Sequence, residues 1–136
     1  MTPLQSAAYD GNLRIVQELI KYNADINPKD DVGETAIYDA SRGLTLDCAS
    51  IVRLLLEHGA DVNVRQEGGF TPLHRASMSG ALEVARVLLE HGANVQAEDT
   101  MGRTPLVVVL LWNGDEATAT RKLMTKLLVE HGAKLE

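Results

Sequence analysis

The chain has 136 residues, carries a formal net charge of −6 and contains a single cysteine, Cys48. This length ordinarily forms one domain, the acidic balance argues against nucleic acid or an anionic membrane as a partner, and one cysteine permits neither an internal disulfide nor a cysteine-based zinc site. The longest apolar run, Leu106 to Trp112, has seven residues, whereas a membrane span needs about 20.

The N-terminus shows no secretory signal, because Met1-Thr2-Pro3 leads directly into the first predicted helix. Either the targeting information lies outside this chain or the protein is intended for a reducing compartment. We therefore expect a cytoplasmic or nuclear protein.

The first predicted helix begins at Thr2-Pro3, since threonine caps a helix start and proline suits its first position. Gly11 separates it from a second helix, which carries an apolar stripe at helical spacing (Leu13, Ile15, Val16, Leu19 and Ile20). Asn23 stands where later copies of this pattern have glycine. Asparagine also tolerates the left-handed conformation that closes a helix, so we expect the same geometry there.

The second pair of predicted helices begins at Thr35 and departs most from the pattern, because Thr-Ala-Ile-Tyr replaces a Thr-Pro-Leu start. Three extra residues fall between its helices, in the segment 43–48. Asp47 is the predicted N-cap of the second helix, Ile51 to His58.

The stretch from Gly69 to Asn94 has the clearest pattern. Thr71-Pro72 predicts a helix that ends near Met78, and apolar residues at 82, 84, 85, 87, 88 and 89 predict a second helix, Leu82 to His91. Gly92 then closes the pair. This unit of turn, helix, turn and helix cannot bury its apolar stripe alone.

The last pair begins at Thr104-Pro105. Its first helix runs through valines that are poor intrinsic helix formers, but its start is in phase with Thr71-Pro72, which favours a helix. A polar loop at 113–120 and a second helix at 121–131 follow.

The same unit therefore occurs four times. Its starting threonines, at 2, 35, 71 and 104, are separated by 33, 36 and 33 positions. This period, with TPLHRAS at 71–77 and LLEHGADVN at 55–63, resembles the ankyrin repeat. The resemblance implies an all-α ankyrin-repeat solenoid of stacked helix-turn-helix units with short β-hairpin-like turns. The predicted solenoid is one domain, residues 1–136, with repeats at about 2–34, 35–68, 69–101 and 102–136.

The resemblance also implies that a protein or peptide partner binds the concave face, which turn tips and first helices form. Transferring that face position by position gives a set of predicted partner-binding residues: Tyr9, Glu34, Arg42, Arg65, Glu67, Phe70, Met78, Met101, Arg103, Leu111 and Trp112. Phe70, Met78, Met101 and Trp112 are the expected apolar anchors. Electrostatic selectivity is expected from Arg65, Arg103, Glu34 and Glu67. Aromatic residues, Met and Arg are enriched at interfaces. A simpler interpretation is that Phe70 covers turn backbone and Trp112 shields the open end of the stack.

No catalytic, cofactor or metal motif stands out, so we expect no enzyme activity, no cofactor and no metal. His58, His91 and His131 share the position before a capping glycine. Stacked helices lie about 8–10 Å apart, too far for neighbouring copies to share a zinc ion, so these histidines are expected to hydrogen-bond the helix ends. By the same resemblance, His74 is a structural residue that braces the turn of the next unit.

Three alternatives stay open. In the first, the chain is a structural or engineered scaffold fragment of a longer array, and its copies associate end to end in place of a monomer. In the second, it is an accessory module of a larger enzyme. Asn27 and Asn63, each eight residues after a leucine, also resemble asparagines that an oxygen-dependent hydroxylase modifies in ankyrin repeats. The simpler interpretation is that these asparagines close the repeat turns.

Overall fold

The computed structural model describes residues 1–111 and 118–135. Within these ranges the chain forms eight helices and no strand: α1 (Pro3–Asp10), α2 (Leu13–Lys21), α3 (Ala36–Ala40), α4 (Cys48–Glu57), α5 (Pro72–Ser79), α6 (Leu82–Glu90), α7 (Pro105–Leu110) and α8 (Thr118–Glu130). The helices form four consecutive pairs. The all-α architecture predicted from the repeat is confirmed.

The helices lie in two layers. The inner layer is α1, α3, α5 and α7, in which each helix contacts the next, and α2, α4, α6 and α8 follow each other in the outer layer. Aliphatic side chains fill the space between the layers. The residue two positions after each starting threonine is buried there in every copy: Leu4, Ile37, Leu73 and Leu106. The four copies are therefore stacked in register.

A threonine begins each inner helix. The side chains of Thr2, Thr35, Thr71 and Thr104 each accept a hydrogen bond from the backbone N–H three residues later, which satisfies one of the donors that a helix start leaves free. In α7 this cap and Pro105 act together with the burial of Leu106 and Val109. Capping and packing therefore outweigh the weak helix propensity of the valines.

Residues in the left-handed conformation close the helices as predicted. Gly11 and Gly80 end α1 and α5 with φ values of 71° and 68°. Asn23 follows α2 with φ 63°, and no other non-glycine residue in the described ranges has a positive φ. Helix α5 extends one residue beyond the predicted end, and α6 ends one residue before it.

The loop between α3 and α4 differs from the prediction. Helix α4 begins at Cys48, three residues before the expected Ile51, and the side chain of Asp47 makes no capping hydrogen bond. The hydroxyl of Thr45 instead accepts a hydrogen bond from the N–H of Asp47 (3.3 Å) and donates one to the carbonyl of Gly11 (3.0 Å). The added residues thus tie the second repeat to the first.

The C-terminal helix also begins earlier than expected, at Thr118 in place of residue 121. The remainder of the predicted loop, residues 113–117, lies outside the described residues, and so does Trp112.

The turns between repeats share one side-chain device. In two of them an aspartate oxygen, from Asp30 or Asp99, accepts hydrogen bonds from the N–H groups two and four residues later. Gln66 occupies the same place in the turn between them. Successive turns are also joined by backbone hydrogen bonds. The N–H of Glu67 donates to the carbonyl of Val32 (2.8 Å), and the N–H of Thr100 donates to the carbonyl of Gly68 (3.0 Å). The turn tips therefore form a continuous rim beside the inner helices.

Candidate functional site

The repeat places three rows of side chains on the inner layer. The first row lies one residue before the starting threonines of the second, third and fourth copies, and the other two rows lie four and seven residues after the starting threonine of every copy. We call these residues the inner surface: Glu34, Phe70 and Arg103 in the first row; Ser6, Asp39, Arg75 and Val108 in the second; Tyr9, Arg42, Met78 and Leu111 in the third. Seven of the eleven predicted partner-binding residues belong to it.

At the C-terminal end the inner surface encloses a hollow of about 330 Å³ between α5 and α7, lined by Phe70, Met78, Arg103, Val108 and Leu111. Four of these five residues were predicted from the sequence, and the structure brings them together. Val108 was not in the predicted set. It precedes Leu111 by three positions, so helical spacing places both on one face and could have indicated it.

Phe70 and Arg103 are held in place at the edge of this hollow. The Phe70 ring meets the ring of His74 edge-on, with 5.8 Å between the centroids, and the Arg103 guanidinium lies 5.7 Å from the Phe70 ring centroid. The Nε atom of Arg103 also donates to the Asp99 carboxylate (2.8 Å). The hollow therefore combines apolar walls with a cation whose position is fixed.

His74, which is fully buried, braces this arrangement as predicted. Its Nδ1 atom accepts from the N–H of Thr71 (3.1 Å), which leaves Nε2 to donate to the carbonyl of Arg103 (2.8 Å). Burial lowers the pKa of His74, and the hydrogen bond to the Arg103 carbonyl offsets part of this shift. The imidazole is therefore neutral, has both nitrogens occupied and serves as a link between consecutive repeats.

Asp99 fixes the turn from which Arg103 projects. Burial alone would raise its pKa, but hydrogen bonds from the N–H groups of Arg103 and Met101, together with the Arg103 guanidinium, hold the pKa of this carboxyl below its usual value. Asp99 is therefore an ionised carboxylate whose oxygens are satisfied within the turn.

The N-terminal end of the inner surface is polar. The Arg42 guanidinium lies over the Tyr9 ring, 4.0 Å from its centroid. Asp39, one helical turn earlier, is only 1% exposed. Burial and the adjacent Glu34 carboxyl raise the pKa of Asp39 to about 8. Sequence reasoning did not single out Asp39, since an aspartate on an inner helix is ordinarily solvated.

The remaining predicted residues lie on the turns. Glu67 is exposed at a turn tip, Met101 is 75% exposed at the next tip, and Arg65 is exposed and donates to the carbonyl of Glu98. These three residues line the rim and do not line the hollow. Trp112, the fourth expected apolar anchor, lies outside the described residues.

The three repeated histidines have the predicted role. The Nδ1 atoms of His58, His91 and His131 lie 2.8–2.9 Å from the carbonyl oxygen four residues earlier, which satisfies a helix-end acceptor. Among the described residues, no group of three or more His, Cys, Asp or Glu side chains is arranged to hold a metal ion. No helix within the described ranges is long and apolar enough to cross a membrane.

Asn27 and Asn63 join consecutive repeats on the outer side. Their amide nitrogens donate to the carbonyls of Gly59 (3.2 Å) and Gly92 (3.3 Å). The simpler interpretation of these asparagines accounts for both contacts, and their modification stays a hypothesis.

Comparison with known families agrees with this geometry. A family model described as ankyrin repeats (3 copies) matches residues 1–66, and one described as ankyrin repeats (many copies) matches residues 48–108. No curated protein sequence gave a significant match. The two matches overlap and together span the first three helix pairs and the start of the fourth, so the chain belongs to the ankyrin-repeat family.

Proposed function

We propose that this chain is an interaction module that binds a segment of a protein partner, or a peptide, on its inner surface. Ankyrin repeats are generally protein–protein interaction modules. The observation that carries the proposal is the hollow between α5 and α7, where Phe70, Met78 and Leu111 surround an open space. Apolar side chains that line an open surface hollow typically mark a binding site.

The arrangement suits binding better than catalysis. The buried imidazole nearest the hollow, His74, has both nitrogens engaged in hydrogen bonds within the fold, so it is not available as a general base. The ionised group at the hollow, Arg103, is paired with Asp99. We therefore propose that the chain has no catalytic activity of its own. We also propose, as the sequence predicts, that it acts in the cytoplasm or nucleus as a monomer.

Selection from a random peptide library displayed on phage tests this proposal without a known partner. We expect the wild-type chain to enrich peptides whose binding is lost with the double substitution Phe70→Ala and Met78→Ala. Truncation of central apolar anchors typically costs 2 kcal/mol or more, about a 30-fold loss of affinity.

A matched control uses Ile15→Ala, because Ile15 is an exposed aliphatic residue on the outer helix α2. This variant should bind the selected peptides as the wild-type chain does, and far-UV circular dichroism should show all variants folded. Peptides that bind the folded double variant with unchanged affinity would contradict the proposed site.

A further inference from the structure

Two arginines on neighbouring inner helices have no carboxylate within salt-bridge distance among the described residues. Arg42 follows α3 and Arg75 lies on α5, and neither forms an ion pair with a carboxylate within the described ranges. Arg103, by contrast, is paired with Asp99.

The Arg42 side chain is already ordered. Its guanidinium lies 4.0 Å over the Tyr9 ring, and a guanidinium stays charged at any pH a protein experiences. A side chain fixed before binding loses little further conformational entropy when a ligand arrives. Arg42 is therefore a preorganised donor for a carboxylate.

The carboxyl groups near these arginines are occupied within the fold. Oδ2 of Asp39 is buried and has no hydrogen-bond donor among the described residues, but the Glu34 carboxyl is close enough to bond it if one of the two holds a proton. Burial and the adjacent Glu34 carboxyl raise the pKa of Asp39, which favours its protonated, uncharged form. Asp30, the other nearby acid, accepts hydrogen bonds from the N–H groups of Val32 and Glu34.

Tyr38, the residue before Asp39, is a further titratable group near the two arginines. Burial raises the pKa of Tyr38 to about 12, and its surroundings include the charges of Arg75, Glu34, Asp39 and Arg42. Its phenol is therefore neutral at neutral pH and cannot offset either arginine.

The two arginines are continuous with the hollow. Arg42 has the same repeat position as Met78 and Leu111, and Arg75 precedes Met78 by three residues on the same helix face. A segment laid across the inner helices would thus meet the arginines first and the apolar hollow next. This register requires a ligand with two different ends.

We propose that the partner segment is acidic at one end and apolar at the other, with its carboxylates against Arg42 and Arg75 and a bulky apolar side chain in the hollow. This inference rests on the proposed function and specifies its ligand. The hollow lies about one and a half helix spacings from α3, which is about 12–15 Å for inner helices about 8–10 Å apart. Because an extended chain covers about 3.3 Å per residue, the carboxylate against Arg42 and the apolar residue are separated by about four or five positions.

The peptides selected on the wild-type chain test this pattern directly. We expect Asp and Glu to be enriched about four or five positions from Leu, Ile, Phe or Met. The double substitution Arg42→Gln and Arg75→Gln should weaken these peptides by about 10-fold at low salt, since it removes two charge-assisted hydrogen-bonding partners. Copies of the peptides with Asn and Gln in place of Asp and Glu should bind both proteins equally.

Arg14→Gln provides the matched control, because Arg14 is an exposed arginine on the outer helix α2, and Arg75→Gln alone replaces the double variant if the latter does not fold. Selected peptides that lack acidic residues, or that are enriched in Lys and Arg, would overturn the inference. If those peptides still lose binding with Phe70→Ala and Met78→Ala, the proposed function survives and only the acidic partner is wrong.

Discussion

At the scale of single residues, buried polar side chains join the first repeat to the second and the third repeat to the fourth. His74 links Thr71 to the carbonyl of Arg103, and Gln5 makes the same connection two copies earlier. The Oε1 atom of Gln5 accepts from the N–H of Thr2 (2.9 Å), and its Nε2 atom donates to the carbonyl of Glu34 (2.8 Å). Two chemically different side chains therefore satisfy the same pair of backbone groups.

This equivalence predicts the outcome of two substitutions at His74. His74→Ala leaves a buried donor and a buried acceptor without partners and should lower the free energy of unfolding by about 2–4 kcal/mol. His74→Gln restores both hydrogen bonds and should cost less than about 1 kcal/mol. Urea unfolding of both variants gives the comparison, and equal losses would show that glutamine does not restore the link at this position.

His74 also predicts an acid dependence. Because burial lowers its pKa from the usual 6.5, the unfolded chain takes up a proton that the native state does not. Stability is therefore retained above about pH 6.5 and declines as the pH falls toward the native pKa. The His74→Gln variant should lack this part of the decline.

The raised pKa of Asp39 predicts that stability changes with pH in the opposite direction. Its pKa rises from 3.8 to about 8 on folding, so the native chain retains a proton that the unfolded chain releases. The stabilising contribution is complete below about pH 4 and is lost as the pH rises toward about 8.

Asp39→Asn removes this titration and keeps a donor for Glu34. The stability of the variant relative to the wild-type chain should rise by more than about 1 kcal/mol between about pH 4 and pH 8. Urea unfolding across that range measures the difference. A constant difference would mean that Asp39 is ionised in the native state.

At the scale of helices and turns, helix closure follows from local chemistry. Asn23 holds the left-handed conformation after α2 that glycines hold after the other outer helices described, and its φ of 63° strains a residue with an ordinary Cβ. We expect Asn23→Ala to cost about 1 kcal/mol and Asn23→Gly to be neutral or slightly stabilising. Thermal unfolding of the two variants tests this order, and the reverse order would contradict it.

Most helix starts and ends could be predicted from the sequence because they depend on neighbouring residues. Thr71-Pro72 and Thr104-Pro105 cap helices locally, and the repeat period extends that inference to the valine-rich α7. The start of α4 was predicted incorrectly. Thr45 there bonds to Gly11, a contact between repeats that no local pattern encodes.

The same distinction explains the candidate site. Phe70, Met78, Arg103 and Leu111 could be predicted because the repeat fixes which positions face inward. The protonated Asp39 could not, because its burial and raised pKa depend on Glu34 and on residues of adjacent elements. The division of the inner surface into a cationic part and an apolar part likewise appears only when the copies are stacked.

At the scale of the whole molecule, the outer and inner layers have different tasks. Asn27 and Asn63 join repeats on the outer side, and His74 and Gln5 join them near the inner side. None of these four contacts involves the side chains of Met78 and Leu111, which leaves those two positions of the inner surface free to differ between copies.

The central claim, that the partner binds the inner surface, is tested most directly by methyl NMR. The chain, labelled at its Ile, Leu, Val and Met methyl groups, would be titrated with a peptide selected from the library. We predict the largest chemical-shift changes at Met78, Val108 and Leu111 and little change at Ile15 and Val129, which are exposed on the outer helices. Large changes on the outer helices, with Met78 and Leu111 unperturbed, would contradict the account.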